Sequence, residues 1–134
     1  MQGLHLTADL SGCKPDAPLM LDTDALRALC LHAVEQSGLG AVAELFHRFT
    51  PAPGQPEGEP SGITGVVLLA ESHLAVHTWP EIGAVTLDVY VCNLGSDNSA
   101  KAEALLAALE RAFAPANSQV QRLQRGQIGS HAAP

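Results

Sequence analysis

The sequence predicts an α+β fold, a two-layer sandwich in which a mainly antiparallel sheet carries two helices on one face. Three observations lead there. Residues 4–10 alternate apolar and polar, as a half-buried strand does. Two longer stretches each carry a single apolar stripe at helical spacing. Between residues 62 and 92, three strand-like runs succeed one another with only short breaks, which suits hairpin connections rather than crossovers.

In the first strand Leu4, Leu6, Ala8 and Leu10 share one side, and Ser11-Gly12 with residues 15–18 reads as a loop. Asp22-Thr23 then offers a helix N-cap. The stripe after it is Leu26, Leu29, Cys30, Ala33 and Val34, with Gly38 at the position just past the helix end. Cys30 on that stripe is read as core packing. Residues 41–49 form a second strand. Residues 51–62 hold four of the nine prolines and three glycines, a flexible solvent-exposed loop and no ladder. The roughly 50 residues before that loop are too few for a core of their own, so residues 1–134 are read as one domain. Strands at 62–70, 72–79 and 84–92 come next. Asp97 or Asn98 caps a second helix with the stripe Ala102, Leu105, Leu106, Leu109, Ala112 and Phe113, and Pro115 stops it. Residues 119–125 add a last strand, and 126–134 read as a tail. With both helices on one sheet face, the other face is left for a second subunit to cover.

Composition narrows the function. With 134 residues, 46% hydrophobic and 16% charged, the chain can bury a real core. No apolar run approaches the ~20 residues that span a bilayer, and the first residues lack the pattern of a secretory signal, so neither a membrane nor export is expected. Three cysteines, Cys13, Cys30 and Cys92, without a C-x-x-C spacing signal neither a disulfide framework nor a zinc knuckle, and the chain is read as cytoplasmic. A formal charge of −7 opposes a nucleic-acid partner and is compatible with a cationic small molecule.

The chemistry concentrates in Glu71-Ser72-His73-Leu74-Ala75-Val76-His77-Thr78-Trp79-Pro80-Glu81, which holds the chain's one tryptophan and two of its six histidines. His73 and His77 are four apart, but apolar residues separate them and Trp-Pro closes the run. On a strand their rings sit ~13 Å apart, too far to share an ion, so no metal is expected. Ser72 lacks a Gly-x-Ser-x-Gly elbow. Ser72 and His77 are five residues apart along one strand, roughly 16 Å, and point to opposite faces. His77 therefore cannot be the base for Ser72 of the same copy, and such a pair would have to be assembled between protomers. Trp79 is read as packing. His5, His32 and His131 carry no signal, and His73 is a bare neighbour of Ser72.

The same run resembles the self-cleaving site of prokaryotic S-adenosylmethionine decarboxylases. The likeness continues in His5-Leu6-x-Ala8-Asp9, in Phe46-His47-Arg48-Phe49 and in Asp88-Val89-Tyr90-Val91-Cys92, over about residues 4–113. The resemblance implies a pyruvoyl enzyme. In that family the chain cuts itself at the bond that here joins Glu71 to Ser72, giving a β chain, 1–71, and an α chain, 72–134, that begins with a pyruvoyl group made from Ser72. It assigns the processing base to His77 and a processing hydroxyl to Thr64. Cys92 falls to the proton donor of decarboxylation, and the cofactor binds substrate as a Schiff base. Phe49 would stack on the adenine and Glu81 would take the ribose hydroxyls. Sites shared across a homodimer are implied, each combining Ser72 and Cys92 of one protomer with Thr64 and His77 of the other. The product would be the aminopropyl donor for spermidine synthesis.

Three departures bear on these expectations. Thr64 stands where the family usually has serine, and its extra methyl narrows χ1 and slows processing. The Pro/Gly-rich loop lengthens the connection from Phe49 to Thr64. Ile82-Gly83-Ala84 replaces an aromatic-glycine-aromatic pattern, and Asn93 follows Cys92 in place of glycine. Pyruvoyl chemistry requires only an α-amino acid, so ornithine or arginine decarboxylation on the same scaffold remains open. So does a non-catalytic relative that binds a small molecule or serves as a partner subunit.

Overall fold

The computed structural model describes residues 2–51, 53–54 and 61–126; most of the expected 51–62 loop, the 127–134 tail and His131 lie outside them. Six strands form one sheet: β1 (Gly3–Ser11), β2 (Ala41–Arg48), β3 (Ile63–Leu69), β4 (Ser72–Trp79), β5 (Ala84–Cys92) and β6 (Asn117–Arg125). Their order is β2-β3-β4-β5-β1-β6, and every neighbouring pair is antiparallel. Among the described residues three α-helices accompany the sheet: α1 (Pro18–Leu21), α2 (Thr23–Gln36) and α3 (Ser99–Phe113). The expected α+β sandwich is the observed one. The short α1 is a correction, since 15–18 reads as a loop with no helix behind it. Pro18 fits a first helical position, where its missing N–H costs nothing.

Alternation decides which sheet face is covered. Leu4, Leu6, Ala8 and Leu10 of β1, Leu74 and Val76 of β4, and Val85, Leu87, Val89 and Val91 of β5 are all buried. They meet Leu26, Cys30, Ala33 and Val34 of α2 and Leu105, Leu106, Leu109 and Phe113 of α3 in one core. Burial pushes the Cys30 thiol up to about 12, so it stays protonated as packing material. The opposite face carries His5, Thr64, His73, Ala75, His77, Asp88 and Tyr90, and among the described residues no layer lies over it. Among the described residues no helix is long and apolar enough to cross a membrane.

The helix ends reflect local chemistry. Asp22 Oδ1 accepts from the backbone N–H groups of Asp24 and Ala25, satisfying donors that the first turn of α2 leaves free. At the other end Gly38, at φ 90°, allows a Schellman closure in which its N–H bonds Glu35 O and Leu39 N–H bonds Val34 O. The cap of α3 divides between the two expected residues. Asn98 holds the cap position, but Asp97 supplies the carboxylate, accepting from Ser99 N at 2.9 Å, and this backbone bond holds its pKa below the usual value.

One buried polar side chain ties the helical layer to the sheet. Thr78 Oγ1 donates to Met20 O of α1 and accepts from Ile63 N at the start of β3, at 3.1 and 2.9 Å. Thr78→Val keeps the shape but strands a buried donor and a buried acceptor. The variant is expected to lose about 1–3 kcal/mol in urea unfolding; an unchanged midpoint would mean that water replaces both bonds.

Candidate active site

Two separate pairs of residues stand at opposite ends of β4. The first grows from the β3–β4 hairpin, where Leu69 pairs with Ser72 and only Ala70 and Glu71 form the turn. Ser72 opens β4, and its Oγ accepts a hydrogen bond from Cys92 N at 3.1 Å. Cys92 ends β5 as a free, buried thiol. Its backbone is fixed by the segment that leads into α3. Asn98 Nδ2 donates to Cys92 O at 2.9 Å, Asn93 Oδ1 accepts from Asn98 N at 2.7 Å, and Asn93 Nδ2 donates to Ser99 Oγ at 3.1 Å. Asn93, a departure from the usual glycine, thus staples the end of β5 to the start of α3.

The second pair lies at the far end. Thr64 and His77 are register partners across β3 and β4, and Thr64 Oγ1 and His77 Nδ1 are 3.0 Å apart. Around them stand His47, opposite Thr64 on β2, and Trp79, whose ring is 5.8 Å from that of His77. Phe49 comes just after β2. Its N–H bonds Gly62 O, its ring meets His47 edge-on at 4.8 Å, and it is 51% exposed. Glu81 is exposed in a 3₁₀ turn, Pro80–Ile82, just past β4. The strand separates the two pairs by five residues, roughly 16 Å.

Two residues stand in surroundings that their sequence context does not suggest. Trp79, expected as packing, is 39% exposed on the uncovered face beside His77. The period-two pattern signals this, because Leu74, Val76 and Thr78 take the buried side and leave Trp79 with His77. His5, expected to be silent, joins a polar cluster. Its Nε2 lies 3.2 Å from Asp88 Oδ1, and Arg125 Nη1 donates to its Nδ1 at 3.0 Å. Arginine cannot accept, so Nε2 carries the proton and donates to Asp88. The rings of His5, His73 and Tyr90 lie against one another at 5.7–6.3 Å, with the Arg125 guanidinium 5.8 Å above Tyr90. No sequence spacing could signal this cluster, since it assembles from β1, β4, β5 and β6. Among the described residues, no group of three or more His, Cys, Asp or Glu side chains is placed to hold a metal ion.

A six-stranded antiparallel sheet with helices on one face, and a serine-cysteine and a threonine-histidine pair along one strand, define a class of two-layer α+β protein with a divided polar site. The profile of the family described as S-adenosylmethionine decarboxylase matches residues 4–126. An S-adenosylmethionine decarboxylase proenzyme of Picrophilus torridus is 32% identical over 124 residues, 92% of this chain and 84% of that protein. The proenzyme of Aquifex aeolicus is 42% identical over 90 residues, 67% of this chain and 58% of that one. The crystal structure of the adenosylmethionine decarboxylase from Aquifex aeolicus superposes with a TM-score of 0.80 at 32% identity, covering 98% of this chain and 97% of that one. This chain belongs to the S-adenosylmethionine decarboxylase family.

The polar cluster has a titratable consequence. Burial lowers the pKa of His73, His5 beside it lowers it further, Asp88 opposes, and Arg125 adds to the lowering. An unfolded His73 would take up a proton near 6.5, where the folded one does not. The unfolded state therefore binds more protons in that range, and this contribution to stability is lost as pH falls through and below about 6.5. Titration of the His73 ring by NMR is expected to give a midpoint below 6.5. Asp88→Asn should move that midpoint further down and Arg125→Gln should move it up; opposite movements would assign the shift to other groups.

Proposed function

We propose that this chain is a proenzyme that cuts itself between Glu71 and Ser72 and, as a homodimer with a pyruvoyl group at position 72, decarboxylates S-adenosylmethionine. The observation that carries this reading is the division of the site into Ser72 with Cys92 at one end of β4 and Thr64 with His77 at the other, in a chain of this family. A strand holds those ends too far apart for one copy to use both. A second copy turned about a two-fold axis would bring its His77 end to the Ser72 end of the first, giving two equivalent sites.

In this reading Ser72 Oγ, held by Cys92 N, attacks the Glu71 carbonyl carbon. The C–N bond breaks, the hydroxyl proton ends on the Ser72 nitrogen, and an ester replaces the amide. His77 of the second copy removes the Ser72 α-proton, the Cβ–Oγ bond breaks, and Glu71 departs as a carboxylate. Water then releases ammonia from residue 72. The Thr64–His77 bond suits both partners in one tautomer. Nδ1–H donates to Thr64 Oγ1, so Nε2 keeps a free lone pair and the threonine hydroxyl proton is free for the oxyanion. Residue 72 fits as the site of the group, because it opens a strand at a tight turn with a thiol-bearing residue hydrogen-bonded to it. The pyruvoyl group supplies an electron sink for loss of CO₂. Cys92 would return a proton to the α-carbon, while the exposed Phe49 and Glu81 would serve the adenine and the ribose.

The fold supports a chain that survives its own cleavage. Residues 1–71 hold β1, β2 and β3, and residues 72–134 hold β4, β5 and β6, yet β1 pairs with both β5 and β6, and β3 pairs with β4. The two pieces are expected to co-elute in native buffer and to separate on a denaturing gel.

Ser72→Ala is expected to remain a single 13.9 kDa chain with no CO₂ release. Coexpressed Ser72→Ala and His77→Ala chains should regain some cleavage, because one of the two hybrid sites keeps both residues; none in a verified mixed dimer would overturn the shared site. Wild-type protein that stays intact would favour a non-catalytic relative. Faster CO₂ release from ornithine or arginine than from S-adenosylmethionine would move the substrate assignment while leaving the cleavage chemistry in place.

A further inference from the structure

The turn before Ser72 carries an unexpected backbone. Among the described residues only two that are not glycine have positive φ, Glu71 at 55° and Ala114 at 46°. Ala114 sits at the C-cap of α3, a position where left-handed residues are common. Glu71 occupies the second place of a two-residue hairpin turn whose ends are Leu69 and Ser72. Two-residue hairpins favour turns with positive φ at the first or at both central residues, because only those match the twist of the strands. Here Ala70 is not positive and Glu71 is, so the turn departs from that pattern and puts a glutamate where positive φ favours glycine or asparagine. Glutamate has a Cβ to clash, and its carboxylate is exposed and makes no ion pair among the described residues. Among the described residues no hydrogen bond or ion pair of the Glu71 side chain offsets the strain.

We propose that the left-handed backbone at Glu71 is a positioning device for self-cleavage, storing strain at the Glu71–Ser72 link that the acyl shift releases. The inference rests on the self-cleavage reading above. The release is a matter of connectivity. Before the shift the path from the Glu71 carbonyl carbon to the Ser72 Cα runs through one atom, the amide nitrogen. Afterwards it runs through two, Oγ and Cβ. The turn becomes one atom longer, and Glu71 is free to leave the left-handed region. An amide is normally more stable than the ester that replaces it, so strain borne only by the amide form shifts this first step forward. Strain of this kind, kept where the surrounding hairpin enforces it, is found at sites where it takes part in the reaction.

The test compares two substitutions at the same residue, both lacking the carboxylate. Chains made by cell-free synthesis are followed on a denaturing gel as they cut. Glu71→Gly removes the strain and Glu71→Ala keeps it, so the glycine variant is expected to cut about 5- to 30-fold more slowly than the alanine variant, the range corresponding to a residue freed from the left-handed region. Ala114→Gly, which relieves the same strain away from the site, is expected to cut at the wild-type rate. In the uncuttable Ser72→Ala background, Glu71→Gly should unfold at a higher urea concentration than Glu71→Ala. A glycine variant that cuts as fast as the alanine variant, or a Ser72→Ala background in which glycine gives no gain in stability, overturns the proposal while leaving self-cleavage intact. A wild-type chain that never cuts overturns both.

Discussion

The pleat of β4 is the constraint on which the rest of this structure turns. A strand rises about 3.3 Å per residue and alternates its side chains. Those two facts alone place Ser72 and His77 far apart and on different sides. The hairpin to β3 then fixes Thr64 opposite His77, and the pairing with β5 brings Cys92 to Ser72. Neither pair can be rearranged without slipping register, and a slip by one residue would carry Leu74 and Val76 out of the core.

The sheet order makes that register hard to lose. β1 lies between β5 and β6 although it is the first strand of the chain, so long-range pairings dominate and the N-terminal and C-terminal halves are interleaved. A chain built this way can be opened at the β3–β4 turn with little loss of contact, because the turn contributes no ladder hydrogen bond beyond the Leu69–Ser72 closing pair. The position of a break matters more than the fact of one. The same cut inside β5 would expose edges on both sides and leave β1 without a partner on one flank.

Much of this was legible in the sequence because burial is one-sided. When only one sheet face meets helices, each strand prints its alternation plainly, as in Leu4-x-Leu6-x-Ala8-x-Leu10, and each helix prints one stripe. The strand limits at 72–79 and 84–92 coincide with β4 and β5. The central run stood out because its residue types were dense, and strand spacing alone excluded a same-copy Ser72–His77 dyad. Two features were not legible. The four-residue α1 is too short to show a period. The His5, His73, Asp88, Tyr90 and Arg125 cluster depends on which strands are neighbours, and β6 beside β1 cannot be read from local pattern. The place of Trp79 beside His77, by contrast, follows from their shared parity.

The opposite faces of Ser72 and His77 divide the proposed chemistry between copies. Ser72 has the parity of Leu74, Val76 and Thr78, and its Oγ accepts from Cys92 N within its own protomer. His77 has the other parity and shares the helix-free face with His73, Ala75 and Trp79. Five residues of pleat hold it roughly 16 Å from its own Ser72. On the proposed reading, the base for the Ser72 α-proton must therefore come from a second copy, and the alternation that keeps His77 from its own Ser72 is the one that leaves it open to a copy laid across that face.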